Sequence, residues 1–214
     1  MYKTLLPLFC SLYLAGCQYL GGEYVTQIKK AYNSQSNVIL TQQEIAQRKQ
    51  PSAYLKLGDA NPQVVATLAV VENNQAKWVT ADSNVIVTQN GRLVRIVGLD
   101  QSPSFVSNLE FDPIRNGIDS FSSKTRWQRF VDFKTDKQVL TNYRVQATYQ
   151  VEHIEYQFLD KKIMAIRLIE NNVSPDLGLS FKNEFIFDAE SKKMLYARQY
   201  ITPKIGWLEM TFIN

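Results

Sequence analysis

The sequence has few of the residues that build metal sites and catalytic centres. Only two cysteines and one histidine, His153, occur in 214 residues. A protein metal site needs several thiolate, imidazole or carboxylate ligands at short spacing. The sequence also has no phosphate-binding loop, zinc-protease motif or serine-hydrolase motif. We therefore expect no bound metal, no cofactor and no enzymatic activity, and we expect His153 to have a structural role.

Long runs of one charge are missing as well. The 24 basic and 20 acidic residues are spread along the chain and give a net charge of +4. A nucleic-acid-binding protein usually concentrates its basic residues in a cluster, so we expect no nucleic acid partner. With 45% hydrophobic residues, the chain is able to build one domain with a sizeable core.

The only strongly apolar stretch near the N-terminus is too short to span a membrane. It covers residues 5–15, follows Lys3 and contains Pro7, whereas a membrane-spanning helix needs about 20 apolar residues. The stretch ends in Leu14-Ala15-Gly16-Cys17, which resembles the bacterial lipobox. That resemblance implies cleavage before Cys17, transfer of a diacylglycerol to its sulfur and acylation of its new amine. An ordinary signal peptide, or a buried helix with an incidental cysteine, is the alternative.

Lipidation would fix the location of the mature chain. Two acyl chains already anchor a protein stably, and a lipobox cysteine carries three, palmitate among them. Cleavage also removes Cys10, so no free thiol is left for a disulfide. In the sorting rule that such signals resemble, an aspartate after the cysteine retains the protein in the inner membrane. Gln18 therefore favours the outer membrane, with the body on its periplasmic face.

Residues 1–16 are thus predicted to be a signal peptide, 17–22 a tether, and 23–214 a single β-rich periplasmic domain. Residues 23–33 carry apolar side chains at helical spacing and predict a short amphipathic helix. Thr41 and Glu44 form a capping-box pattern that predicts a second helix. That helix should end before Pro51, since the residue preceding a proline avoids the α region.

The rest of the chain has the pattern of an all-β protein. Strands are predicted at residues 64–72, 76–81, 84–88, 92–99, 143–151, 162–170, 180–187, 193–201 and 207–213. Asn90-Gly91 is typical of a tight hairpin because both residues tolerate positive φ. The other connections are short, which favours antiparallel neighbours. We predict a mainly β fold, a large antiparallel meander sheet forming a half-barrel or sandwich, with short N-terminal helices.

Two segments depart from this regular pattern. Apolar residues occupy odd positions up to Val151 and even positions from Ile154 onward, which predicts a bulge or sharp bend at residues 152–153. Residues 100–125 have the composition of a long loop, and loops of that length are usually functional or mobile.

One strand combines cations and aromatic rings. Residues 126–130 read Arg-Trp-Gln-Arg-Phe, and such a strand is able to bind an acidic polysaccharide, since rings stack on sugars and guanidinium groups take carboxylates. Arg126, Trp127 and Arg129 are therefore candidate contact residues. The alternative is an ordinary strand with Trp127 and Arg129 on one face and Arg126, Gln128 and Phe130 on the other.

The stretch from Trp78 to Leu99 resembles a known family. It contains the sequence KWVTAD, then TQNGRLVR and Gly98-Leu99, with Leu57-Gly58-Asp59 upstream and the lipobox in front. This order is similar to that of the YjbF family, the GfcB-like group 4 capsule polysaccharide lipoproteins. The family carries no catalytic residues that this chain would inherit. Trp78, Asp82, Arg92 and Arg95 are candidate ligand or partner contacts, although strand alternation places the two arginines on opposite faces.

The resemblance implies a non-enzymatic component of capsule or exopolysaccharide secretion or assembly, anchored in the outer membrane. An export β-barrel, other secretion proteins and the polysaccharide itself are its expected partners. One alternative is a carrier that binds a lipid or acyl chain in the concavity of the sheet. If the open face of the sheet is apolar, the carrier hypothesis is favoured. If that face is lined by Gln146, Thr148 and Gln150, contact with a sugar or a protein is favoured. A glycan hydrolase is a third hypothesis.

Overall fold

The structure is a computed structural model that describes residues 36–99, 102–134 and 139–213. The predicted signal peptide, Cys17, the tether and the helix at 23–33 lie outside the described residues. The elements are helix α1 (Gln42–Gln47) and strands β1 (Ser52–Leu57), β2 (Val64–Glu72), β3 (Gln75–Thr80), β4 (Val85–Gln89), β5 (Arg92–Val97), β6 (Ser102–Val106), β7 (Arg126–Lys134), β8 (Val139–Phe158), β9 (Lys161–Ser174), β10 (Leu179–Asp188), β11 (Met194–Thr202) and β12 (Gly206–Phe212).

The strands form one antiparallel sheet that curls almost into a closed barrel. Its order is β5-β4-β3-β2-β1-β12-β11-β10-β9-β8-β7-β6, so each strand pairs with its neighbours along the chain and β12 pairs with β1. The exception is the step from β5 to β6, the two edge strands, which contact each other without pairing. Ser102 bridges them by donating hydrogen bonds to the carbonyls of Ile96 (3.2 Å) and Leu99 (2.7 Å). The predicted antiparallel meander is confirmed.

Local sequence signals account for most element boundaries. The Thr41 hydroxyl accepts the Glu44 amide, and the Glu44 carboxylate accepts the Thr41 amide, so the capping box forms and α1 ends before Pro51 as predicted. Asn90 and Gly91 both have positive φ in the β4–β5 turn. Every predicted strand is present and most bounds agree within a few residues, although β8 continues to Phe158, well past its predicted end at 151. Strand β7 is present, as its alternation predicted. The first strand, β1, was not predicted as a separate element.

Strand β8 corrects one prediction. Its pairing with β9 runs from Gln146↔Val173 to Phe158↔Lys161 without a register shift. The strand has no bulge at residues 152–153, and that prediction is therefore wrong.

The side-chain pattern changes along β8 because its surroundings change. Pairing with β7 stops at Thr148. Beyond that residue Val151 is 41% exposed, so the odd-numbered side chains of β8 are no longer buried. The even-numbered side chains are the half-buried ones from there to Phe158. At the hairpin tip, Leu159 packs against the buried side chains of Leu40 and Tyr54.

The described part of the predicted loop at 100–125 is more regular than its composition indicates. It contains β6 and three short 3₁₀ helices, Leu109–Phe111, Pro113–Asn116 and Ile118–Ser120. Ile114 and Ile118 are buried in the main hydrophobic cluster together with Trp127 and Phe185. The segment covers part of the interior of the barrel and brings one carboxylate, that of Asp112, into it.

Candidate functional site

The most unusual feature of the interior is a buried group of charges. Arg92 on β5 is 2% exposed, Asp112 is 3% exposed and Glu170 on β9 is 0% exposed. Nε and Nη2 of Arg92 donate to Asp112 at 2.5 and 3.3 Å, and Nη1 and Nη2 donate to Glu170 at 3.0 and 2.8 Å. Such forked pairs are among the strongest hydrogen bonds that side chains make.

A second arginine lies beside this group. Arg129 on β7 is 5% exposed, its Nη2 donates to Oδ1 of Asn172 at 3.1 Å, and that nitrogen lies 3.6 Å from Oε2 of Glu170. The Trp127 ring contacts both guanidinium groups, with its centroid 4.5 Å from Cζ of Arg92 and 4.6 Å from Cζ of Arg129. The ring thus stabilises the two cations through its π face in a desolvated site.

Strand register explains why polar side chains meet here. Pairing aligns Tyr149 with Glu170, Glu170 with Asn183, and Glu184 with Arg198, which places Asn183 beside Gln199. A polar row across β8, β9, β10 and β11 is formed by four inward-facing residues, Tyr149, Glu170, Asn183 and Gln199. Tyr149 donates to Glu170 at 2.9 Å and Asn183 donates to it at 2.6 Å, so the buried carboxylate is surrounded by donors.

The electrostatics keep Glu170 ionised. Burial opposes its charged form, but the cations of Arg92 and Arg129, with hydrogen bonds from Arg92 and Asn183, hold its pKa well below the usual range. Burial likewise opposes the charge on Arg92, yet Asp112 and Glu170 outweigh it and raise its pKa. For Arg129 burial prevails and lowers its pKa. Burial, followed by the charge of Glu170, raises the pKa of Tyr149, which therefore stays a hydrogen-bond donor.

A cavity of about 430 Å³ opens above this polar layer. Arg92, Arg129, Asn183 and Gln199 line its inner end, where all four are buried. The walls are formed by inward-facing apolar side chains, among them Val106, Val131, Phe133, Tyr143, Val145, Leu179, Phe181 and Ile201. Leu177, Pro203 and Lys204 also line it and are exposed, so they mark the mouth. Its size is within the range of small-molecule sites in proteins.

The structure separates the residues that the sequence grouped as candidate contacts. Arg92, Trp127 and Arg129 come together in the interior, whereas Arg95 and Arg126 are exposed. Strand alternation predicted this separation of buried and exposed residues for both β5 and β7. A polysaccharide lying on the outside of β7 would meet Arg126, but it would not meet Trp127 or Arg129.

The other two candidates have structural contacts. Trp78 is 6% exposed, donates from Nε1 to the Thr88 hydroxyl at 2.9 Å and packs against Phe212. Asp82 lies in the β3–β4 turn, where its carboxylate accepts from the Thr80 hydroxyl at 2.5 Å and from Nδ2 of Asn84 at 2.6 Å. His153 is exposed on β8.

Sequence reasoning missed Asp112, Tyr149, Glu170, Asn172 and Asn183 as members of the site. One signal was available for Glu170, because it follows Ile166 and Leu168 on the same parity of β9 and so interrupts an apolar face with a charge. In the described residues no group of three His, Cys, Asp or Glu side chains is arranged to hold a metal ion. None of the helices in those residues has the length and apolarity to span a membrane.

Comparison with known proteins identifies the family of this chain. The family described as "Group 4 capsule polysaccharide lipoprotein gfcB, YjbF" matches residues 25–213. The chain belongs to this YjbF family. Two relatives from Escherichia coli K12 support the assignment, each over nearly its whole length. Uncharacterized lipoprotein GfcB is 24% identical over 100% of this chain and 99% of its own, and uncharacterized lipoprotein YjbF is 25% identical over 94% and 92%.

A solved structure has the same fold as this YjbF-family chain. The crystal structure of the hypothetical lipoprotein YmcC from Escherichia coli K12 superimposes with a TM-score of 0.73. The match covers 92% of this chain and 98% of that one, at 22% sequence identity. The mainly β, nearly closed sheet is therefore the fold expected from the family resemblance.

Proposed function

We propose that this capsule-related lipoprotein is a non-enzymatic component of polysaccharide secretion or assembly, anchored in the outer membrane with its body on the periplasmic face. The observation that carries the proposal is the family match over residues 25–213, together with the lipobox-like sequence that ends at Cys17. The site is consistent with a non-enzymatic role. Its carboxylates, Asp112 and Glu170, are each held by Arg92 in a buried site rather than facing the solvent.

Contacts with an export β-barrel or with the polysaccharide would involve the outer surface. On β7, Arg126 and Gln128 are exposed and Phe130 is 39% exposed, and on the neighbouring β6 Phe105 is 54% exposed. A cation and exposed aromatic rings on one outer surface suit an acidic sugar or a protein rim. A photo-crosslinking residue at position 130 would report partners in living cells, with one at exposed Val173 as the control on another strand.

The direct test is genetic. The gene is deleted in the bacterium that encodes it, and surface and intracellular polysaccharide are measured separately. We expect surface polysaccharide to be lost, wild type to restore it, and Cys17→Ser to restore little because a hydroxyl would not take the thioether-linked lipid. Normal surface polysaccharide in the deletion strain would refute the proposal, and full restoration by Cys17→Ser would refute the anchored location.

A further inference from the structure

The cavity combines an apolar wall with hydrogen-bonding groups that are still unused. Within the described parts of the chain, two buried atoms next to it have no hydrogen-bond partner, Nη1 of Arg129 and Oγ of Ser174. The register that pairs Gln146 with Val173 places Val145 beside Ser174, and Val145 pairs with Arg129. The two unpartnered groups therefore lie in one row of the sheet, separated by one apolar side chain.

Other polar groups at the inner end already have partners. Gln199 accepts from the Leu93 amide at 2.9 Å and donates to the Gly91 carbonyl at 2.9 Å. Asn183 accepts from the Tyr200 amide at 2.8 Å while it donates to Glu170. A buried donor without a hydrogen-bond partner is destabilising, so a ligand oxygen that reached Nη1 of Arg129 would supply the missing acceptor.

The two cations and two carboxylates of this group balance in number, but their contacts are unequal and leave Arg129 able to take an anionic ligand. Asp112 and Glu170 both pair closely with Arg92, whereas Arg129 is 3.6 Å from Glu170 and bonds to a neutral amide. Arg129 is therefore the cation that is still able to bind a ligand anion. A neutral sugar fits less well, because the walls around Val131, Val145 and Phe181 are apolar and offer few partners for hydroxyl groups.

We propose that this cavity binds a single acyl chain with an anionic head group, a carboxylate or a phosphate ester, whose oxygens contact Arg129 and Ser174 while the chain lies between the apolar walls toward Leu177 and Lys204. Gln146, Thr148 and Gln150 lie on the outer face and are exposed, so they do not line this interior. The proposal goes beyond the secretion role, since it concerns a ligand of the purified protein and holds whether or not that protein acts in export.

The test uses the full chain purified from membranes and placed in nanodiscs of neutral phospholipid, because detergent would compete for the cavity. A palmitate analogue with a diazirine in the middle of its chain is added and irradiated, and labelled peptides are identified by mass spectrometry. We expect labels near Val131 and Leu179 that an excess of palmitate displaces. Labels found only elsewhere, or cavity labels that palmitate does not reduce, would overturn the proposal.

One comparison separates recognition of the head group from nonspecific partitioning of the apolar chain. The corresponding diazirine alcohol should label the cavity about tenfold less than the acid at equal concentration, since it cannot make a charge-assisted hydrogen bond to Arg129. Equal labelling would overturn the assigned head group. This comparison uses the unchanged protein, so it does not depend on any variant folding.

A matched pair of variants tests the location. Leu179→Trp fills the cavity and should reduce labelling severalfold, whereas Val173→Trp adds the same ring on the outer face, where Val173 is 47% exposed, and should leave labelling unchanged. Equal labelling of both variants at the wild-type level would place the ligand elsewhere. Thermal unfolding of both variants confirms that each is folded before labelling.

Discussion

Arg92 and Glu170 are 78 positions apart in the chain and are joined by two hydrogen bonds of 3.0 and 2.8 Å inside the barrel. Arg92 begins β5, an edge strand that has no paired neighbour toward β6. Glu170 lies on β9, which is paired on both sides, with β8 and β10. The pair therefore fastens an open edge of the sheet to the opposite wall, where backbone hydrogen bonds are not formed.

Removing the Arg92 cation should destabilise the fold strongly. Arg92→Met leaves the buried Asp112 carboxylate without its cation and Glu170 with only Arg129, at 3.6 Å, and breaking such a buried pair costs about 3–5 kcal/mol of the free energy of unfolding. Arg95→Met is the matched control on the same strand, and an exposed position such as this one should change stability by less than about 0.5 kcal/mol. Urea unfolding of the purified variants measures both. Equal losses in the two variants would contradict the role assigned to Arg92.

Stability should fall in acid because of Glu170. Its folded pKa is below its ordinary value of 4.5, so the stabilisation is fully present above about pH 4.5 and is lost as the pH falls toward the folded pKa. In that window the unfolded chain binds the extra proton, and each pH unit removes about 1.4 kcal/mol. Urea midpoints between about pH 7 and pH 3 measure this loss of stability, and Glu170→Gln should make the loss smaller.

A second measurement keeps this prediction testable if Glu170→Gln does not fold. The side-chain carboxyl carbon of Glu170 should keep the NMR shift of an ionised group at a pH where exposed glutamates have titrated. Protonation of the Glu170 carboxylate near its ordinary pKa of 4.5 would refute the buried ion pair.

Gln199 should hold the edge strand in place through its backbone contacts. Its side chain bonds to the Leu93 amide and the Gly91 carbonyl from across the interior. Gln199→Leu leaves that buried amide without an acceptor, which costs about 1–3 kcal/mol, and should speed hydrogen exchange at Leu93. The control variant Gln150→Leu, on the outer face, should leave hydrogen exchange at Leu93 unchanged. Unchanged exchange at Leu93 in the first variant would show that β5 is held by other contacts.

The strands were largely predictable because each depends on a local pattern. Alternation in β8 and the Asn90-Gly91 turn express rules that act over a few residues. Alternation also predicted correctly that Trp127 and Arg129 share one face of β7. Alternation does not tell which face is the inner one, so it leaves open whether Trp127 and Arg129 contact a polysaccharide or belong to a buried face.

The site itself depends on distances along the chain that local patterns do not report. Asp112 lies in a segment whose composition predicts a loop, and only the closed shape of the sheet brings it to Arg92. The bulge predicted in β8 failed for a similar reason. Its parity change reflects where pairing with β7 stops, at the Arg126–Thr148 pair, and this is a property of the neighbouring strand and not of β8.

The anchored location is the claim on which the proposed function depends most, and the mass of the mature protein tests it directly. The protein is extracted from membranes and its intact mass and N-terminal peptide are measured. The account predicts a chain that begins at Cys17 and carries a thioether-linked diacylglycerol and an amide-linked acyl chain. An unmodified Cys17, or a mature chain that begins at any other residue, would contradict it.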